Sequence, residues 1–531
     1  MDRRPWLVAL ALALLAFGLY ARSGGFGYVE YDDPAYVRDN PHLAEGLTPA
    51  SLRWALISTD YQYNWHPLTW LSHALDVELF GAAPGPRHLE NALLHALAAA
   101  LLFRALVALG LGAGASALTA ALFALHPVRV ESVAWLAQRK DLLAGVACMA
   151  TLWSYARFAR APSPERLLPV ALTLALGLMA KPTLVALPAA LLLLDAWPLG
   201  RTRTTPLARL VREKLPLFLL AAAAAGVTLL AQGESGAVKA VALPVRLANA
   251  AESIAAYARV FLWPPDLAVF YPHPALVGSG PSTLRALAVA LGLAALLGLA
   301  WRARARAGYV LAGLGWFLVM LAPMLGLVQV GFQARADRYA YLPQLGLELA
   351  LVSAGVELAR RRPAWRGALV ALALAWLAGL GWCTARQLAR WRDSATLFRH
   401  ALAVTERNFV AHNNLGLVLA REGRLDEALE HFEAAATARP GFFEAELNVG
   451  LAREQRGELD AARAALERAV AARPASGAAH LALARVRLGL GDARAADAEL
   501  ARALELDPSL AEDPRARSLG AELERRLEEP R

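Results

Sequence analysis

Residues 409–442 read FVAHNNLGLVLAREGRLDEALEHFEAAATARPGF, and residues 443–476 read FEAELNVGLAREQRGELDAARAALERAVAARPAS. Set one above the other, the two stretches agree in columns 34 residues apart. Gly416 aligns with Gly450, and Gly423 with Gly457 and Gly491. The same interval joins Ala428, Ala462 and Ala496, then Phe432, Leu466 and Leu500. It recurs for Ala435, Ala469 and Ala503, and for Pro440, Pro474 and Pro508. Small residues let two helices approach closely, the Phe/Leu column fills the space between them, and proline ends the second helix.

A helix–turn–helix repeat of this length is the tetratricopeptide signature. It assigns three repeats, 409–442, 443–476 and 477–510. Ser394, Phe398 and Ala401 read as the second half of an incomplete repeat over 391–408. Residues 511–529 read as a capping helix with a charged outer face. The whole of 391–531 is therefore expected to be an α-solenoid.

Upstream of Trp391 the chain changes character. Of 531 residues 57% are hydrophobic and 19% charged, which is too apolar for one soluble globule. Residues 391–531 carry a net charge of −4, so residues 1–390 carry +13. Their Arg and Lys sit in short loops between apolar runs, where membrane topology places them, and not in a stripe suited to nucleic acid. About 20 apolar residues cross a bilayer as a helix. Candidate spans are 5–21, 89–110, 112–126, 132–156, 166–181, 183–199, 215–232, 284–301, 308–328, 342–360 and 366–386. Basic loops at 157–166, 201–214, 302–306 and 360–366 fit a topology with Met1 inside and eleven crossings. The segment 249–263 then lies on or dips into the outer face, and everything after 386 is outside. The opening Met-Asp-Arg-Arg and its apolar run read as an uncleaved first helix. Cys148 and Cys383 both lie in apolar segments and suggest no disulfide framework or zinc site.

The predicted outer loops, 22–88 and 233–283 above all, carry chemistry that a plain bundle does not need. Asp32 and Asp33 follow the first span. They read either as a catalytic base, or a charge orienting a phosphorylated donor, or as turn residues before Pro34. The block from Leu125 to Asp141 crowds His126, Arg129, Glu131, Arg139, Lys140 and Asp141 at span ends, with Pro127 expected to break the helix and expose the loop. Ionisable groups there are costly unless paired, hydrated or used. A cluster of His, Glu and Arg suits phosphate binding and proton handling, and equally interfacial anchoring. Lys181 ends an apolar run and either holds a lipid phosphate or snorkels to the interface. In the last outer loop Arg335 and Arg338 offer planar forks for phosphate, with Asp337, Tyr339 and Tyr341 beside them. His66 reads as structural. No spacing supports a structural metal site, and the paired aspartates leave a divalent metal open.

Tyr31-Asp-Asp-Pro, His126-Pro-Val-Arg-Val-Glu-Ser-Val-Ala-Trp with Arg139-Lys-Asp-Leu-Leu, Ala180-Lys181, and Asp337-Arg-Tyr-Ala-Tyr-Leu-Pro resemble the transmembrane-and-tetratricopeptide-repeat family. Animal members of that family are implicated in protein O-mannosylation. The resemblance runs over most of the chain in the same order. It implies an all-α polytopic bundle of about 11 spans with the GT-C fold, followed by the repeats. It also implies a glycosyltransferase that inverts a sugar taken from a polyprenyl-phosphate donor. In that fold an acid early in the first outer loop is the base, which matches Asp32 or Asp33. By the same likeness Arg139, Lys181 and Arg338 are assigned to the donor phosphate. Pro182 stands where relatives are expected to carry an acid.

The expectation is a membrane glycosyltransferase moving a sugar, mannose among the candidates, to an acceptor hydroxyl such as protein Ser/Thr on the outer face. Arg335 joins the phosphate group, and His126, Glu131, Lys140, Asp141, Asp337 and Tyr339 support it. The repeats would present an acceptor polypeptide or recruit a partner protein. Composition points to a bacterial inner membrane with the repeats on the periplasmic side. The rival reading is a non-catalytic, membrane-anchored tetratricopeptide scaffold for an envelope assembly.

Overall fold

The computed structural model describes residues 4–233 and 241–528. Residues 234–240, inside the predicted loop 233–283, and residue 529 of the predicted cap lie outside the described residues. The chain divides into two compact units, one of residues 1–275 and 280–397, the other of 276–279 and 398–531.

The first unit is helical. Its strand content among the described residues is one antiparallel pair, Tyr271–Pro272 against Gln333–Arg335. Among the described residues, six helices are long and apolar enough to cross a membrane: Pro5–Gly25, Pro84–Ala108, Leu136–Arg160, Leu215–Gln232, Thr283–Ala303 and Pro363–Ala389. Ala113–Leu125 and Pro127–Ala134 make a seventh span if taken together, bent by 53° at His126. Pro127 causes the bend, since it has no N–H to continue the ladder and its ring displaces the preceding turn.

Several of the eleven predicted spans are therefore shorter or more charged than expected. Pro164–Ala180 has 17 residues. Pro182–Ala196 and Gly308–Met324 are shorter apolar helices. Gln344–Arg361 carries Glu348, Glu357 and two arginines. Proline punctuation and internal charges shorten these elements. Such broken helices persist at membrane depth only where protein covers them. The predicted outer-face segment 249–263 is the helix Leu243–Leu262.

Burial separates the helices into a centre and a periphery. The apolar stretch of Leu136–Arg160 is 67% buried and that of Pro84–Ala108 is 56% buried, against 11% for Thr283–Ala303 and Pro363–Ala389. Buried polar groups in and beside the central pair find partners within the protein, as His95 and Arg129 illustrate. His95 bonds Tyr341 Oη at 3.0 Å and the Ala124 carbonyl at 3.2 Å. Arg129 donates to the carbonyls of Ala340 and Tyr341 and to Glu348 at 2.6 Å. Backbones approach closely where Gly313 meets Gly346; a Cβ on either would strike the other's carbonyl oxygen.

The second unit stacks helix pairs. Phe409–Arg421 precedes Leu425–Ala438, Phe443–Gln455 precedes Leu459–Ala472, and Gly477–Gly489 precedes Ala493–Leu506. Pro514–Glu528 closes the array. The repeating glycines have two separate causes. A Cβ at Gly416 would sit 2.6 Å from the Phe432 ring, so that column is set by helix approach. Gly423, Gly457 and Gly491 have φ of +78°, +78° and +86°, a left-handed turn that glycine adopts without strain.

Candidate active site

Five of the predicted site residues, Asp32, Lys140, Lys181, Arg338 and Tyr339, line one cavity of about 490 Å³ in the membrane unit. Its polar end is lined by Asp32, His66, Gln138, Lys140, Lys181, Arg338 and Tyr339. The lining also includes apolar side chains, Ala225 and Leu229 from the helix Leu215–Gly233 and Pro182, Val185, Met324, Val328 and Val330, interspersed with Thr228, Gln232 and Gln329. A cation-rich end joined to these apolar side chains suits an amphiphile with an anionic head.

The two neighbouring aspartates part company. Asp33 is fully buried, and its carboxylate accepts backbone N–H groups from Val29 and Ala137, each at 2.8 Å. It ties the first loop to the turn before Arg139. Burial pushes its pKa up to about 7, against the pull of those two amides. Asp32 lines the cavity, and its carboxylate makes no hydrogen bond or salt bridge among the described residues. Burial raises its pKa above the ordinary carboxylate range, while Lys140 and Arg338 oppose the shift. Of the two predicted bases, Asp32 alone has a carboxylate without a hydrogen bond among the described residues. Asp33 is a loop clamp.

The cations divide in the same way. Lys140 lies over the Tyr36 ring at 4.1 Å and has no salt bridge among the described residues. Lys181 is paired with Asp141 at 2.5 Å. Arg338 is held by Glu131, which accepts both from its guanidinium and, at 2.8 Å, from its backbone N–H. Glu131 and Asp141 thus orient two cavity cations. Arg139, predicted to bind phosphate, is turned away. Its guanidinium is fully buried against Asp76 at 2.5 Å, Glu90 at 3.0 Å and Asn91 at 2.8 Å. The helix Arg139–Arg160 starts here, and successive residues on a helix point about 100° apart, so Lys140 faces the cavity where Arg139 does not.

Arg335 also departs from expectation: it stacks on the Tyr271 ring at 4.1 Å and does not line the cavity. His126 is buried and bonds the Phe261 carbonyl at 3.1 Å, so it supports the bend and not the cavity. The whole run 125–141 is buried and not the exposed loop expected of Pro127. Asp337 is buried and accepts from Tyr271 Oη at 3.0 Å, with burial lifting its pKa well above the carboxylate range. Tyr339 lines the cavity and accepts from Gln333 Nε2 at 2.9 Å. Sequence reasoning overlooked Gln138 and Gln333, since amides beside apolar runs carry no distinguishing pattern. It also set aside His66, which burial together with Lys140 and Lys181 keeps neutral. Among the described residues no group of three His, Cys, Asp or Glu side chains is placed to hold a metal ion.

Fold and site define an all-helical polytopic membrane protein with a tetratricopeptide solenoid. Tetratricopeptide-repeat family models match residues 383–441 and 454–523. The protein O-mannosyl-transferase Tmtc2 of Drosophila melanogaster is 36% identical over 185 residues, 32% of this chain and 20% of its own length. Mouse TMTC1, of the same description, is 33% identical over 173 residues, covering 29% and 18%. Drosophila Tmtc3 is 36% identical over 126 residues, covering 23% and 13%. Over these stretches the chain is similar to TMTC proteins, and each match spans a fifth or less of the relative's length.

Proposed function

We propose that this protein is a membrane glycosyltransferase of GT-C type that moves a sugar from a polyprenyl-phosphate donor to an acceptor hydroxyl. The carrying observation is the unbonded Asp32 carboxylate at the polar end of a cavity that also holds Lys140, Lys181 and Arg338. Asp32 takes the proton of the acceptor hydroxyl as its oxygen attacks the anomeric carbon. The bond from that carbon to the phosphate oxygen breaks with inversion, and the electron pair leaves on the phosphate. Lys140, Lys181 and Arg338 stabilise that departing charge in a site shielded from bulk water. The apolar side chains of the helix Leu215–Gly233 and the segment 323–330 accommodate the first isoprene units.

The likeness to proteins named O-mannosyl-transferases supports mannose as the sugar and a protein Ser/Thr hydroxyl as the acceptor. The repeats supply a surface for a polypeptide acceptor or a partner protein. The apolar, basic membrane unit supports residence in a bacterial inner membrane with the site and repeats on the periplasmic side.

The test is turnover of polyprenyl-phosphate monosaccharides by the full chain in lipid nanodiscs, followed by mass spectrometry, for wild type and Asp32→Asn. Sugar release that depends on Asp32 supports the reading. No release from any donor, by folded protein supplied with peptide acceptors, overturns it in favour of a scaffold.

A further inference from the structure

The helix Leu243–Leu262 is amphipathic in an unusual sense, because its buried face carries three polar side chains beside Ala250 and Phe261. Asn249, Ser253 and Tyr257 all point inward and are each at most 3% exposed. Leu243, Leu247 and Leu262 on the same helix are more than half exposed. Every inward polar group is spent on the backbone of one short segment. Asn249 Nδ2 donates to the Ala334 carbonyl at 3.0 Å, and Ser253 Oγ reaches the same oxygen at 3.4 Å. Tyr257 Oη donates to the Ala336 carbonyl at 3.0 Å and accepts from the Ala336 N–H at 3.1 Å. One phenol thus satisfies both polar groups of a single residue.

That residue stands two positions before Arg338 and three before Tyr339, both of which line the cavity, as does Gln333 on the other side. The stretch is gripped elsewhere as well. His273 N–H donates to the Phe332 carbonyl at 2.9 Å, Tyr271 Oη holds Asp337, and Glu131 holds Arg338. The Ala336 carbonyl also accepts from the Tyr339 N–H at 3.1 Å, so what these partners leave to Tyr257 is the Ala336 N–H. Buried backbone groups without partners are rare, so loss of the phenol would leave the Ala336 N–H unpaired and let the strand shift or hydrate.

We infer that Tyr257, seconded by Asn249, is a positioning residue that fixes the Gln333–Tyr339 edge so that Arg338 meets the anionic head of the ligand. This rests on the cavity being the donor-phosphate site. It adds to that reading a set of residues which never touch the ligand.

The test uses the full chain in nanodiscs, with undecaprenyl phosphate as the probe. Binding is read by ligand-induced thermal stabilisation, and backbone protection by hydrogen exchange over 333–341. Tyr257→Phe is expected to weaken probe binding about tenfold and to speed exchange at 336–339. Combined with Arg338→Gln, it is expected to add nothing to the loss from Arg338→Gln alone. Asn249→Ala, which leaves the Tyr257 pair intact, is expected to show a smaller version of both effects and stands in if Tyr257→Phe does not fold. Wild-type binding in Tyr257→Phe, or a loss that adds fully to that of Arg338→Gln, overturns the inference. If wild type binds no probe, the donor-site reading fails, and unchanged exchange at 336–339 then rejects the positioning role on its own.

Discussion

The helix Arg139–Arg160 has a cluster of buried charge at each end, and the two differ in how complete they are. At its C-terminal end Asp195 accepts from Tyr155 Oη at 2.5 Å, Arg201 at 3.0 Å and Lys214 at 2.5 Å, while Arg201 also reaches Glu213 at 2.7 Å. Asp195 and Glu213 face Arg201 and Lys214 with a phenol among them, the exposed Arg209 lies 3.8 Å from Glu213, and every buried charge has a partner. At its N-terminal end Lys181 has Asp141 and Arg338 has Glu131, but Asp32 and Lys140 face the cavity without a salt bridge among the described residues. Buried charge is costly unless paired, so the saturated cluster is explained by structure alone. The unsaturated one leaves Asp32 and Lys140 available to whatever occupies the cavity.

The sharpest way to break this contrast is Asp32→Asn. Sugar release should fall by about 10²–10⁴, the usual worth of a positioned base, with no change in melting midpoint. Unaltered release would place the base elsewhere. A matched lysine pair comes next. Lys214→Ala strands part of the Asp195 charge and should destabilise the protein by about 3 kcal/mol in a denaturation series, with activity retained in what stays folded. Lys140→Met should do the reverse, losing about 10²-fold in release with an unchanged midpoint. Equal effects from the two lysines would erase the distinction between the clusters. Asp33→Asn leaves one backbone N–H opposed to an amide N–H, at a cost of about 1–3 kcal/mol in stability and without a direct loss of chemistry.

The smallest expected effects are in pH. Release should fall as the medium acidifies through a value above the usual carboxylate pKa, because burial raises that of Asp32 and the base must be ionised. Asp33 acts on stability with its own sign. Its folded pKa is raised to about 7, so its stabilising contribution is full below the unfolded carboxylate value and is lost as pH rises through about 7. Asp33→Asn should remove that slope from the pH dependence of the midpoint.

The repeats are fully legible in the sequence because each column has a local cause: helix approach at Gly416, a left-handed turn at Gly423. The long apolar helices are legible for the same reason. The short ones are not, since Pro127, Pro182 and Pro323 cut apolar runs whose ends are then covered by distant protein. The site is half legible. Asp32, Lys140, Lys181, Arg338 and Tyr339 announce themselves as polar groups at the ends of apolar runs. What sequence cannot separate is Asp32 from Asp33 or Lys140 from Arg139. Asp33 is claimed by Ala137, 104 residues away, and Arg139 by Asp76, 63 residues away. The polar face of Leu243–Leu262 was equally hidden, because its partners are main-chain groups at 334 and 336 that any sequence would supply.

The burial gradient across the membrane helices also bears on how the chain enters the bilayer. Pro363–Ala389 has a mean hydropathy of 1.8 and makes few demands on its neighbours, so a translocon can release it straight into lipid. Leu136–Arg160, at 1.3, carries Arg139, Lys140 and Asp141 in the first turn of its regular helix. Charges of this kind cost about 2.5–3.5 kcal/mol each near the centre of a bilayer and less toward its edge. Asp76 and Glu90, which neutralise Arg139, are synthesised before it. Insertion of the most important helix is thus expected to wait for Pro84–Ala108 already in place, making the order of translation part of how the site is assembled.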